Sequence, residues 1–397
     1  MPPPAFRLSP ARRRVALLAL LVASFFFFVG QHYSLFKRHR LPPGYPRDRR
    51  PFPKPQYVPG VPKPPGSNYT RTLVIPRLKE ENVDWIAQEF PDLETAIYVV
   101  DDPEAPLHPP KNKGREVMVY LSYIIDHYEN LPEIVIFMHA HRIAWHNEVP
   151  LDMDAVEMLK RLSNERVIRE GFFNMRCNWA PGCPDWIHPR NRDEDMQKQE
   201  EPMVAQAWGE LFPYEMVPET LAQPCCAQFA ISRDRILALP KTRYVYYRDW
   251  MLLTELSDYI SGRIWEYLWQ VVFTGEPVYC PLQHVCYCDG FGLCFGGPEG
   301  YEDYNALYWD ITHQQQELQD WRNKAQAIED AKNEGKSQEE IEALEVPEPG
   351  RDVWLEGEVN RKAAYYFQIR NGALERGQNP ANRAKEAGRP WKEGDGF

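Results

Sequence analysis

Charge is the first thing missing. Val15–Gly30 contains no charged side chain, and Arg12, Arg13 and Arg14 stand directly before it. Extended through Gln31–Phe36, the stretch reaches 22 residues, roughly 33 Å as a helix and enough to cross a hydrocarbon core. A small-x-small cleavage site is missing as well. Four phenylalanines follow Ala23-Ser24 instead, which argues against a cleaved signal peptide. The expectation is one uncleaved transmembrane signal anchor over 15–36, with 1–14 as a short cytoplasmic tail. A cleaved signal peptide and a buried core helix are the alternatives.

Acidic residues are nearly absent from residues 1–70, where Asp48 stands alone against 12 lysines and arginines. The remaining 34 Lys/Arg and 56 Asp/Glu give the rest of the chain a net charge of −22. So acidic a domain repels phosphates, and no nucleic-acid partner is expected. The basic stretch beside the anchor suits anionic lipid headgroups. Cysteine is also missing before Cys177, and all eight cysteines lie beyond the anchor. An even number there suits an oxidising compartment. Counting Lys and Arg alone would put the C-terminal side in the cytoplasm. The cysteines and the one glycosylation sequon, Asn68-Tyr69-Thr70, oppose that. The reading is a single-pass type II membrane protein with its bulk in the Golgi or endoplasmic reticulum lumen.

Residues 37–70 read as a Pro-rich stalk. Ten prolines fall within 37–67, with Gly44, Gly60 and Gly66, a run that favours extended polyproline II and buries no core. A linker without spacing purpose is the alternative. From 71 to 309 the composition turns globular, enough for one large α/β domain or two small ones. In 310–345, Ile311, Leu318, Trp321, Ala325 and Ile328 recur at helical spacing, a helix packing by one face. Residues 346–397 read as a polar tail, disordered over much of 370–397. No internal repeat is visible.

Thr72–Ile75, Ala96–Val100 and Ile134–Met138 are short apolar runs that predict buried strands. Val83–Phe90, Glu116–Tyr128 and Val156–Leu162 predict helices, the second with an apolar stripe at 117, 120, 121, 124, 125 and 128. Together they predict an α/β fold: a mixed, mostly parallel sheet with helices on both faces, preceded by the transmembrane helix. Ligands of such sheets sit beyond the carboxyl ends of the strands. Those ends are Arg77–Glu81, Asp101-Asp102 and His139-Ala140-His141.

Asp101 and Asp102 can bond a ribose or hold a cation, or simply form a turn before Pro103. Asn112, Lys113, Gly114 and Arg115 open the best helix, where free N–H groups and positive charge can seat a phosphate. The alternative is an ordinary helix entry. His139, His141 and His146 are three imidazoles within eight residues, a metal or catalytic group with His141 in either role. Neutral imidazoles at that spacing suit Zn²⁺, Mn²⁺ or Fe²⁺. Asp249 beside Arg248 is a base candidate or half of a structural ion pair. Cys177, Cys183, Cys225, Cys226, Cys280, Cys286, Cys288 and Cys294 predict a disulfide framework, with a zinc cluster at the last four as the alternative. The adjacent Cys225 and Cys226 are expected to take separate partners.

The runs NKGREVMVYLSYIIDHYENLPEIVIFMHAHRIAWH, GFFNMRCNWAPGCP and PCCAQFAISRDRI, with the aromatic RDW segment, resemble an uncharacterised domain-of-unknown-function family found mostly in fungi. The resemblance spans 72 to about 297 and implies no activity. The order TLVIPRLKEEN, AIYVVDD and NKGRE is also similar to nucleotide-sugar glycosyltransferases of the A fold. That similarity implies Asp101 on the nucleoside, Asn112–Arg115 near the diphosphate and Asp249 as the base that activates the acceptor. Where such enzymes carry a metal-binding Asp-x-Asp, this sequence reads His139-Ala140-His141. Imidazoles replacing the carboxylates on Mn²⁺ or another divalent ion, a metal-independent enzyme, or a relative without activity all follow from that departure. The functional expectation is transfer of a sugar from a nucleotide-sugar to a glycan. A non-catalytic glycan-binding or structural protein and a histidine-metal hydrolase or oxygenase are the alternatives.

Overall fold

The structure is a computed structural model that describes residues 55–397. The segments expected to form the signal anchor, the cytoplasmic tail and most of the stalk lie outside the described residues. The chain divides into two units, Met1–Pro53 and Lys54–Phe397, and the second holds all of the described residues.

The first half alternates strand and helix. Strand β1 (Arg71–Arg77), helix α1 (Asp84–Glu89), β2 (Glu94–Val99), α2 (Val117–His127) and β3 (Ile134–Phe137) come in order. Next come α3 (Ala155–Arg161) and α4 (Asn164–Glu170), N-capped by the Asp154 and Ser163 side chains, then β4 (Phe172–Asn174). Helix α5 (Glu201–Leu211) leads to β5 (Phe229–Ser232). The chain then becomes helical: α6 (Arg233–Leu237), α7 (Lys241–Leu253), α8 (Asp258–Glu266), α9 (Trp269–Thr274) and α10 (Gln283–Phe291). The long α11 (Pro298–Asn333), the short α12 (Gln338–Glu342), α13 (Arg351–Gly377) and α14 (Pro380–Glu386) complete it.

The five strands form one mixed sheet in the order β2-β1-β3-β5-β4. β1 pairs in parallel with β2 and β3, while β5 runs antiparallel to both β3 and β4. β1 continues past its expected end through Pro76. β3 pairs only Arg71–Val74, so the ring sits beyond β3's last partner, where its missing N–H removes no ladder bond. Alternating strand residues feed two cores. Val74, Tyr98, Val135, Phe137, Phe229 and Ile231 pack on one face with α2 and the aromatic α7–α9. Leu73, Ile75, Ile134, Ile136, Phe173 and Ala230 pack on the other with α3, α10 and residues of α11 and α13.

Three expectations need correction. Residues 346–397 are not a loose tail. They carry α13 and α14, and Tyr366 of α13 stacks on Tyr304 of α11 at 4.4 Å. The described end of the stalk packs against the domain: the Tyr57 hydroxyl donates to the Val272 carbonyl, and the Gly60 N–H donates to Arg169 O at 3.2 Å. All eight cysteines are paired, as Cys177–Cys286, Cys183–Cys280, Cys225–Cys226 and Cys288–Cys294. Cys225 and Cys226 thus bond each other rather than separate partners. Cys226 and Ala227 both take positive φ, 87° and 47°, and this turn brings the adjacent sulfurs together. Among the described residues no helix is long and apolar enough to cross a membrane.

Candidate functional site

The path from β2 to β3 crosses over β1, so the strand order reverses between β1 and β3. The crevice beyond the carboxyl ends at such a reversal is where ligands bind in open α/β sheets. His139 leaves β3 there. β5 is antiparallel to β3, with Phe229 opposite Phe137, so the residues preceding β5 arrive at the same edge. The His139 N–H donates to Gln228 Oε1 at 3.1 Å, and Gln228 Nε2 donates to Asn147 Oδ1 at 3.0 Å. This places the Cys225–Cys226 turn two residues from the partner of His139.

His139 Nδ1 and His146 Nε2 lie 3.0 Å apart, their rings crossing at 72°. Both titrate below the ordinary imidazole range. Burial pushes His139 down to about 3, with the charges of His146, His141 and Arg115 adding. Burial and then Arg176 push His146 down to about 4. Both rings are therefore neutral at pH 7, so one nitrogen of the pair donates and the other accepts. His139 Nε2 is buried without a hydrogen-bond partner.

Gly114-Arg115-Glu116 forms the second wall. A Cβ on Gly114 would lie 2.4 Å from Met251 Sδ, and Gly114 has φ +73°. Arg115 also sits in the left-handed region, φ 53°. Helix α8 lies along this turn by one face, Asp258, Gly262 and Glu266, spaced four residues apart. The Arg115 N–H donates to Asp258 Oδ1 at 3.0 Å, and Gly262 leaves room for the Arg115 stem. One turn further, Glu266 accepts the Cys226 N–H at 2.7 Å. The exposed Arg115 guanidinium lies 5.0 Å from the Tyr259 ring. Its charge opposes the upward shifts of both carboxyls, Glu116 and Glu266, and lowers His139. Arg115 is thus the common electrostatic neighbour of the group.

Glu116 is surrounded by protein yet still touched by solvent. Burial pushes its carboxyl up to about 8, with the Glu266 charge adding. Burial also raises Glu266. At neutral pH the cluster therefore holds a protonated carboxyl beside a fixed cation and two neutral imidazoles. These are the parts of acid–base chemistry on an anionic substrate.

Several sequence candidates lie elsewhere. Asp101 Oδ1 accepts the Lys79 N–H at 2.8 Å, and Asp102 pairs with Lys79 Nζ at 2.7 Å. That lysine contact holds Asp102 below the usual carboxylate range, and the two residues clamp the β1 and β2 ends together. Asn112 is exposed, while Lys113 Nζ donates to the Thr254 carbonyl. His141 turns outward, 60% exposed, with Nε2 3.3 Å from Glu81 Oε1, so the three histidines do not converge. Asp249 lies within α7 with no hydrogen bond to the histidines. The His139–His146 pair offers a borderline metal two nitrogens. It supplies none of the carboxylate oxygens that Mn²⁺ prefers. Among the described residues, the groups with three possible ligand atoms are Cys225, Cys226 and Glu266, and Cys288, Cys294 and Glu386. In both, the sulfurs are bonded to one another.

Glu116, Glu266 and Gln228 are not among the sequence candidates. Only Glu116 carries a local signal, a carboxylate opening the most apolar helix, and that pattern reads equally as a favourable first-turn acid. Gln228 arrives just before β5 and Glu266 at the end of α8, by packing that the sequence does not display.

Neither a curated protein nor a solved structure matches the chain. Residues 73–289 match the family described as "Protein of unknown function (DUF3431)", and the matched stretch runs from within β1 through β5 and holds both walls of the crevice and all but one of the cysteines. Spanning more than half of the chain, this match makes the protein a member of the DUF3431 family.

Proposed function

We propose that this protein is a glycosyltransferase-like enzyme that binds a nucleotide-sugar at the β1/β3 crevice and passes the sugar to a glycan. The carrying observation is Arg115. A non-glycine residue held at φ 53° costs on the order of 1–3 kcal/mol, and such outliers gather at functional sites. Here the strained residue presents a permanent cation at the strand-order reversal, where a diphosphate would bind. The order from β1 to β3 also agrees with the A-fold resemblance.

Arg115 keeps the role the resemblance implies, and the other roles differ. Arg115 meets the diphosphate, the His139–His146 pair lines the pocket as neutral hydrogen-bonding groups, and Glu116 with Glu266 handles the acceptor proton in place of Asp249. No step is routed through a metal. Four disulfides and the exposed Asn68 support placement in an oxidising secretory compartment behind the signal anchor. A second reading, glycan binding without transfer, is favoured by the position of Asp101 and Asp249 outside the cluster. Incubation with UDP- and GDP-sugars and a chitotriose or mannotriose acceptor, read as release of free nucleoside diphosphate above the acceptor-free rate, separates the two. Release that depends on Glu116 and Glu266 supports transfer. Binding without release supports the second reading.

A further inference from the structure

The loop after β3 displays two large apolar side chains. Ile143 is 58% exposed and Trp145 65% exposed. A mobile loop could show such residues by accident, but this one is pinned. The Arg142 guanidinium binds Asp154 through three hydrogen bonds of 3.0–3.2 Å and Glu89 at 3.1 Å. The Ala155 N–H donates to Arg142 O at 2.8 Å, and the Ala144 N–H donates to Met153 O at 3.2 Å. The Asn147 side-chain amide donates to both Arg142 O and Met153 O at 3.0 Å. The exposure of Trp145 is therefore built into a rigid backbone, at the cost of unburied apolar area.

The indole is also supported. Arg176, only 6% exposed, holds its guanidinium 5.5 Å from the Trp145 ring centroid. It donates to Trp145 O at 3.3 Å and to Ala180 O at 3.0 Å. His146 meets the indole edge-on at 5.7 Å and is hydrogen-bonded in turn to His139. A buried charged side chain thus holds one exposed aromatic ring beside the crevice.

We infer that Trp145 is the stacking platform of an acceptor subsite, and that its ligand is the pyranose ring of a neutral glycan. A pyranose has an apolar C–H face the size of one indole and a rim of hydroxyls. The platform offers one flat ring, with the His146 imidazole at its edge. Continuity with His146 and His139 places the stacked sugar at the mouth of the proposed donor site. The identification of the ligand as an acceptor rests on the proposed transferase reading, while the stacking itself does not.

The test uses the purified full-length chain and two neutral probes, chitotriose and mannotriose, titrated by calorimetry. At least one should bind, and Trp145→Ala should weaken that binding at least tenfold. Trp145→Phe should restore part of it. Trp309→Ala, which removes another exposed indole, should leave it unchanged. UDP- and GDP-sugar binding should stay within twofold in Trp145→Ala. Binding of neither trisaccharide, or binding indifferent to Trp145→Ala, overturns the subsite and leaves the platform as a protein contact. Loss of trisaccharide binding in a chain that binds no nucleotide-sugar keeps the subsite and removes the donor reading instead.

Discussion

The backbone N–H of Cys226 donates to Glu266 Oε1 at 2.7 Å. Through this bond the Cys225–Cys226 turn holds a carboxyl of the proposed site. The Cys177–Cys286 bridge does a different job, because it joins residues 109 apart in the chain.

The two bridges should respond differently to removal. Chain-entropy stabilisation grows with loop length, and with the nested Cys183–Cys280 bridge intact the outer bridge closes an effective ring of about 14 residues, for about 3 kcal/mol. Cys177→Ser with Cys286→Ser should lower stability by about 2–5 kcal/mol in urea denaturation. Cys225→Ser with Cys226→Ser opens no long loop and should cost much less. Equal losses would show that the adjacent pair has a global role.

Burial holds His139 at about 3 and His146 at about 4, below their unfolded value of 6.5. The unfolded chain therefore binds more protons across this window, and stability is lost as pH falls from about 6.5 towards 3. NMR of the ring protons should find both imidazoles neutral at pH 5. A titration midpoint near 6.5 for either ring would place it in water.

Glu116 has the opposite sign. Its folded carboxyl titrates at about 8 against an ordinary 4.5. The folded state binds more protons between those values, so stability falls as pH rises through the window. Glu116→Gln should flatten this slope, leaving the part that the raised Glu266 carboxyl contributes and a variant more stable than the wild type at pH 8.5. Urea midpoints measured from pH 5 to 9 check it, and parallel curves for the two proteins would refute it.

Gly114 is fixed by space as well as by φ. Gly114→Ala puts a Cβ onto Met251 Sδ in the left-handed region, adding a clash to roughly 1–2 kcal/mol of conformational strain. Thermal denaturation should show a loss larger than the strain alone. Adding Met251→Ala should recover the clash part. Additive losses in the double variant would mean that the two residues do not meet.

β1, β2 and β3 were legible in the sequence as uninterrupted apolar runs, and α2 by its apolar stripe. β4 and β5 were not, since Phe172–Asn174 and Phe229–Ser232 are brief and each ends in a polar residue. α13 was hidden by its polarity: of its 27 residues only Leu355, Val359, Tyr366, Ala373 and Gly377 are buried, along one narrow stripe. The histidines were found, but their geometry was not. β3 ends at Phe137, so His139 and His141 lie past the pleat that would have put them on one side. The carboxyl pair was illegible for another reason: Glu116 and Glu266 are 150 residues apart, and only the packing of α8 along the Gly114 turn joins them.

The central claim is that Arg115 and His139 form one nucleotide-sugar site. The most direct measurement is calorimetric titration of the full-length chain with UDP- and GDP-sugars, with and without Mn²⁺, on the wild type, Arg115→Ala, His139→Ala and Asp101→Ala. Binding is expected without added Mn²⁺, weakened at least tenfold by each of the first two substitutions and unchanged by Asp101→Ala. Absence of binding, or binding lost in Asp101→Ala and untouched in Arg115→Ala, would contradict the claim.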